Sequence, residues 1–250
     1  MESYKATVVN EIFKMVRKKK AVLIVILSAA IIAVVQLLSF ALRGGLGIMG
    51  SSAAGFPITV LSVFANTILP LFTALAVIDT FTGEFASDTM KISITRPVTR
   101  LKVYLAKLTA VGAFILASLM IVMVLSTATA LLFNRMSPTL GWFASILAAY
   151  VSTVIPMLTL AVLIAWPANV FKSSSGVFFL SMLAFLLLRG LGVVFSSLAT
   201  LLATSLLDWY KLWIASPLPL GMVLRQLLVM LGYVMIFFAL GFQRFDRRDL

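Results

Sequence analysis

The chain of 250 residues contains no cysteine and no histidine. The first absence excludes a disulfide framework, a thiolate nucleophile and a zinc-thiolate site. The second removes the commonest general base, proton shuttle and metal ligand. Acidic residues are scarce too: eight stand against 20 lysines and arginines, for a formal net charge of +12. Charged residues of both signs reach only 11% of the chain, where an ordinary domain carries about a quarter. Apolar residues take their place. With 62% hydrophobic residues and a mean hydropathy of +1.14, there is more apolar surface than a globular core of this length can hide, so the solvent is a bilayer. A basic balance otherwise points to nucleic acid, but cations crowded beside apolar runs are more economically explained by membrane topology.

About 20 mostly apolar residues cross the hydrocarbon layer as a helix, and on that ruler the sequence predicts six spans, at 21–42, 56–80, 105–133, 140–166, 176–204 and 222–242. The first is not a signal peptide, because its apolar run is too long and no small-residue cleavage pattern follows. With the amino terminus, the second and fourth loops and the carboxyl terminus on one side, fifteen lysines and arginines lie there. The other side has Arg43, Arg135 and Lys211, and Arg189 and Arg225 lie in or beside spans. That bias predicts both termini in the cytoplasm.

Residues 1–20 repeat apolar side chains every fourth position, at Tyr4, Val8, Ile12 and Val16. Lys5, Glu11, Lys14 and Lys18 are assigned to the remaining faces, which predicts an amphipathic helix lying on the inner leaflet. The alternative is that the lysines only anchor the first span. The segment 82–104 is the longest polar interruption of the apolar pattern. A plain connection between antiparallel helices takes about 2–8 residues, whereas this one mixes both charge signs with Met90, Ile92 and Ile94 and carries Pro97, which ends any regular helix there. It is predicted to dock on a partner; a solvated loop is the other reading.

The residues that carry a family resemblance lie here. Asp79, Gly83-Glu84, Asp88-Thr89, Arg96-Pro97-Val98-Thr99-Arg100 and Lys107 together resemble the signature of ABC-2 type transporter permeases. In that signature a glutamate, a Gly-Thr pair, a Pro-Val-Ser/Thr-Arg element and a Gly-Lys pair follow the second span. Residues 10–20 resemble the family's connecting helix, and 245–250 its short basic tail. Asp88 and Ala106 stand where the family usually has glycine, which bears on local backbone geometry.

The resemblance implies an all-α membrane protein in a bacterial plasma membrane. It would have six transmembrane helices, an amino-terminal interfacial helix and a cytoplasmic coupling helix between spans 2 and 3, forming one transmembrane domain over 1–250. It further implies an exporter built from two permease subunits, as a homodimer or with a close paralogue, and two copies of an ABC ATPase subunit. The ATPase would hold ATP and magnesium, no cofactor would be bound by this chain, and Asp79, Gly83, Glu84, Asp88, Thr89, Arg96, Pro97, Arg100 and Lys107 would couple to it. The sequence itself agrees, having no G-x-x-x-x-G-K-[ST] loop to cradle phosphates.

Polar residues inside spans mark where a path for an amphiphilic substrate would run. Ser145, Ser152, Pro156 and Thr159 share one stripe of the fourth span, and Arg189, Ser196, Ser197, Thr200 and Thr204 share about a third of the fifth. The competing explanations are small-residue packing for the hydroxyls and snorkelling for Arg189. The outer loop at 205–221 carries Trp209, Tyr210 and Trp213 beside Asp208 and Lys211, suited to capping the outer mouth or to an ordinary aromatic belt. The glycines between Gly44 and Gly50 punctuate a loop.

Three rival classes are weaker. A membrane enzyme without histidine or cysteine is left with Ser-Lys or paired-aspartate chemistry. A secondary transporter usually has related halves, and none are evident. An immunity or regulatory protein that merely binds would have no use for the 82–104 insert.

Overall fold

The computed structural model describes residues 2–16, 19–45, 53–83, 99–133, 139–195 and 200–247. Among these, all regular structure is helical. α1 is Glu2–Val16, α2 Lys19–Gly45, α3 Phe56–Asn66, α4 Ile68–Thr80 and α5 Arg100–Phe133. α6 is Leu140–Ser152, α7 Val154–Val170, α8 Ser174–Val194, α9 Tyr210–Trp213 and α10 Leu220–Asp246. Short 3-10 turns at Ala53–Gly55 and Ser205–Asp208 precede α3 and α9.

Four helices are long and apolar enough to cross a membrane, α6 and α7 counting as one, and the bent pair α3 and α4 makes a fifth. α2 covers the first predicted span as one helix of 27 residues, with a described apolar stretch at Val22–Leu38. The chain is therefore a multi-pass membrane protein.

Proline placement explains the interruptions. α3 and α4 meet at 44° across Thr67, and Pro70 lies three residues on. Proline has no N–H, so the carbonyl of Asn66 receives no helical bond from it. Thr153 and Pro156 repeat the spacing between α6 and α7. At each break a threonine hydroxyl adds a second bond to the carbonyl one turn back: Thr67 Oγ1 donates to the Val63 carbonyl at 2.5 Å and Thr153 Oγ1 to that of Ala149 at 2.8 Å. Thr139 and Ser173 cap α6 and α8 by accepting the N–H groups of Trp142 and Gly176, each at 3.2 Å.

The span of α6 and α7 is the centre of the bundle, 61% buried over its most apolar window, whereas α8 and α10 are each 11% buried and form the periphery. α7 packs on α4, α5 and α10. α1 lies across the foot of α5, and α10 ends beside it, so both ends of the chain gather at one end of the bundle.

Two expectations are corrected here. The fifth helix does not run to Thr204: it stops at Val194, and Thr200 to Thr204 form turns. A stripe from Arg189 through Thr200 therefore does not exist, since its arithmetic required one continuous helix. On α1, Glu11 is not on an outer face. The buried arc centres on Glu11 and Met15, with Tyr4, Val8 and Ile12 half-buried beside them, and Val9 and Phe13 face outward. At 100° per residue Glu11 lies only about 20° from Tyr4, so packing on α5 takes it inside.

Candidate functional site

The chain enters and leaves the 84–98 stretch through one buried cluster at the basic end of the bundle. On the way out, Thr80, Phe81 and Thr82 are all buried. The Phe81 N–H ends α4 on the Val77 carbonyl at 2.9 Å, and Thr82 Oγ1 donates to the Ala168 carbonyl of α7 at 2.8 Å. On the way back, the Arg100 guanidinium donates to the Asp246 carbonyl at the end of α10, a favourable place for a cation because unpaired carbonyls collect there.

One turn later Tyr104, fully buried, packs against Phe81, Phe238, Phe242 and Phe245 with ring centroids 5.3 to 5.8 Å apart. Such tilted and edge-on contacts are the favoured aromatic geometry. Gly241 makes the room: a Cβ there would sit 2.4 Å from the Tyr104 hydroxyl.

Lys107 completes the cluster with no exposed surface. Its ammonium donates to the Thr80 carbonyl at 2.9 Å, stands 3.5 Å from Glu11 Oε2, and lies over the Phe81 ring 5.9 Å from the centroid. Glu11, only 3% exposed, also takes a hydrogen bond from Lys14 at 2.8 Å. A buried charge is tolerated when paired and hydrogen-bonded, and here that pairing ties α1, the end of α4 and the foot of α5 together.

Of the predicted coupling residues, Asp79 and Gly83 are half-buried at the exit, Arg100 is half-buried at the return, and Lys107 is the buried hub. Glu84, Asp88, Thr89, Arg96 and Pro97 lie outside the described residues. The substrate-path candidates do not converge on one surface. Ser152, Pro156 and Thr159 are buried, and the two hydroxyls bond to the carbonyls of Ala149 at 3.0 Å and Ile155 at 3.1 Å in their own helices. Ser145 of the same stripe is exposed and bonds to Gly141. Thr200 is exposed, and Ser196 lies outside the described residues.

Arg189 belongs to a second charged cluster, away from the basic end. It donates to the Thr204 carbonyl at 3.1 Å and stands 4.0 Å from Asp208, which also meets Lys211 at 3.0 Å and Asn66 at 3.1 Å. Asn66 is about 15 Å along α3 from Phe56 at 1.5 Å per residue. The segment at 205–213 thus folds back against the middle of the bent span, with Leu206, Leu207, Trp209 and Tyr210 buried.

Sequence reasoning missed Glu11, Thr82, Tyr104, Asn66 and Asp208 as members of these clusters. Glu11 carried a weak local signal, an acid seven residues from Tyr4 and so on nearly the same face of the helix.

The described residues form a multi-pass helical protein with a buried polar clamp at its basic end, and among them no group of His, Cys, Asp and Glu could hold a metal. The chain is a member of the ABC-2 family transporter proteins, whose model matches residues 7–187. That family is the membrane part of ABC transporters and has no ATPase site of its own, so an ATPase partner is implied. No curated protein matches the chain at a significant level.

Proposed function

We propose that the chain is the permease subunit of an ATP-driven exporter in a bacterial plasma membrane. It has six spans and both termini in the cytoplasm, pairs with itself or a close paralogue, and is driven by two copies of an ABC ATPase that binds ATP and magnesium. The segment 82–104 docks on the ATPase. The observation that carries this reading is the buried Lys107 ammonium held between Glu11, the Thr80 carbonyl and the Phe81 ring. Both ends of the segment thereby join α1, α4, α5 and α10 as one unit, and a push on it is delivered to four helices together. ATP-driven closure of the ATPases then rocks the spans between two packings.

The cargo is an amphiphile, a drug or antimicrobial peptide, leaving near Arg189 and Thr200 under an outer cap formed by 205–221. The test uses the chain reconstituted with the ABC ATPase encoded beside it. Glu84→Ala with Arg96→Ala abolishes cargo-stimulated ATP hydrolysis and leaves membrane insertion unchanged. Unaltered stimulation overturns the coupling role. If protection against a toxic cargo survives that double substitution, the chain is a binding or immunity protein.

A further inference from the structure

Three charged side chains sit at a depth where a bilayer itself holds no water. Asp208 accepts from Asn66 Nδ2 at 3.1 Å, and Asn66 stands ten residues after Phe56 and fourteen before Thr80, near the middle of the bent span. At 1.5 Å per residue that is about 15 Å from the start of α3, half of a hydrocarbon layer of about 30 Å. Lys211 meets Asp208 at 3.0 Å and Arg189 stands 4.0 Å from it, so the three charges share this level. Protein does not enclose them: the side chains of Arg189, Asp208 and Lys211 keep 39%, 30% and 54% of their surface.

Lipid tails are a poor cover for that surface, because ionisable side chains within spans face the bundle interior or water. Nor do the cations snorkel. The Lys211 ammonium is turned to Asp208, and Arg189 donates to the Thr204 carbonyl at 3.1 Å, whereas a snorkelling chain stretches to the headgroups. Two more polar atoms of the cluster, Asn66 Oδ1 and Thr204 Oγ1, are buried with no hydrogen-bond partner among the described residues. Water supplies such a partner where lipid does not. The cluster is also unbalanced, with two positive charges against one negative. Asp208 is the only acidic residue between Asp88 and Asp246, and none lies between Glu11 and Asp79, so no second carboxylate from these stretches offsets the excess.

We propose that the exposed sides of Arg189, Asp208 and Lys211 line a water-filled vestibule, entered from the end where α3 begins and α8 finishes, that draws anionic groups to Arg189. The vestibule goes beyond the transport reading, and failure of the coupling test leaves it standing.

The test places single cysteines in the full-length chain, which has none. Ser205→Cys is the main reporter. It is nearly isosteric, keeps all three charges, and lies beside Gly192, three residues beyond Arg189 on α8. In membranes it is modified by the impermeant sulfonatoethyl and trimethylammonioethyl methanethiosulfonates. With each rate divided by that for a free thiol in solution, the anionic reagent is faster by about tenfold, and adding Arg189→Gln removes the preference. Lys211→Cys, a second reporter, is modified as well. Leu187→Cys, exposed on the opposite side of α8 from Arg189 and within a turn of it, faces lipid and is not modified. Reagent is applied to intact and to opened cells, so a reversed orientation still yields modification, and labelling after unfolding in dodecyl sulfate shows that each chain is present. No modification of either reporter, equal modification of Leu187→Cys, or a preference that is absent or survives Arg189→Gln would each overturn the vestibule. Protection of both reporters that ends when copies of the chain are dissociated would overturn it too, by putting a second copy against the cluster.

Discussion

At Lys107 a full positive charge has no exposed surface, and its neighbours show why the chain tolerates it. Glu11 supplies a carboxylate, Thr80 a carbonyl and Phe81 the face of a ring. Removing one member of a buried pair leaves the other charge uncompensated, at a cost of about 3–5 kcal/mol. Glu11→Gln is therefore expected to lower the unfolding midpoint in detergent markedly, and Glu11→Gln with Lys107→Met to lower it less, because the second change removes the charge that Glu11 helps to balance. Equal losses would mean that the pair contributes nothing specific. Gly241 makes a separate residue-scale prediction. With a Cβ placed 2.4 Å from the Tyr104 hydroxyl, Gly241→Ala should destabilise by about 1–3 kcal/mol as an overpacked site. Adding Tyr104→Phe removes the clashing oxygen and should restore most of the loss in the same melts.

At the scale of elements, helix positions were legible from apolar run lengths, and their breaks were legible from proline only in hindsight. The pattern at 56–80 reads as one predominantly apolar stretch, yet the helix bends by 44° at Thr67, three residues before a proline that cannot bond to Asn66. Pro70→Ala returns that N–H and should straighten the span. Spin labels at Val63 and Leu75, introduced as cysteines into a chain that has none, should then lie farther apart by pulsed electron resonance, and an unchanged separation would show that packing alone sets the bend. The fifth helix illustrates the opposite error. Apolar composition continues to Thr204, but α8 ends at Val194 because the chain turns back to bury Leu206, Leu207 and Trp209 and to bring Asp208 to Asn66 and Arg189. Hydropathy measures preference for an apolar environment, and a segment folded back into protein satisfies it as well as a spanning one.

At the scale of the whole molecule, both ends of the chain converge on the Lys107 cluster, α1 through Glu11 and α10 through Phe245. The proposed orientation, read from lysine and arginine placement, has that end in the cytoplasm. Single cysteines introduced at Ser3 and Asp249 should be modified by a membrane-impermeant maleimide only after the cells are opened, and labelling of either on intact cells would reverse the orientation. The division into a buried centre, α6 and α7, and a sparsely covered periphery, α8 and α10, was invisible in the sequence. All these helices are similarly apolar, and in a bilayer a side chain facing lipid looks the same as one facing protein.

By itself the sequence determined the solvent, the helical class and the approximate position of most apolar helices, because run length and charge are local properties that a bilayer reads directly. Tertiary structure alone decided which polar residues meet. Glu11 and Lys107 are 96 positions apart and Asn66 and Asp208 are 142, and no local period relates them. Their pairing follows from how helices with nearly uniform apolar surfaces stack, where each buried charge must find partners within reach of its packed position.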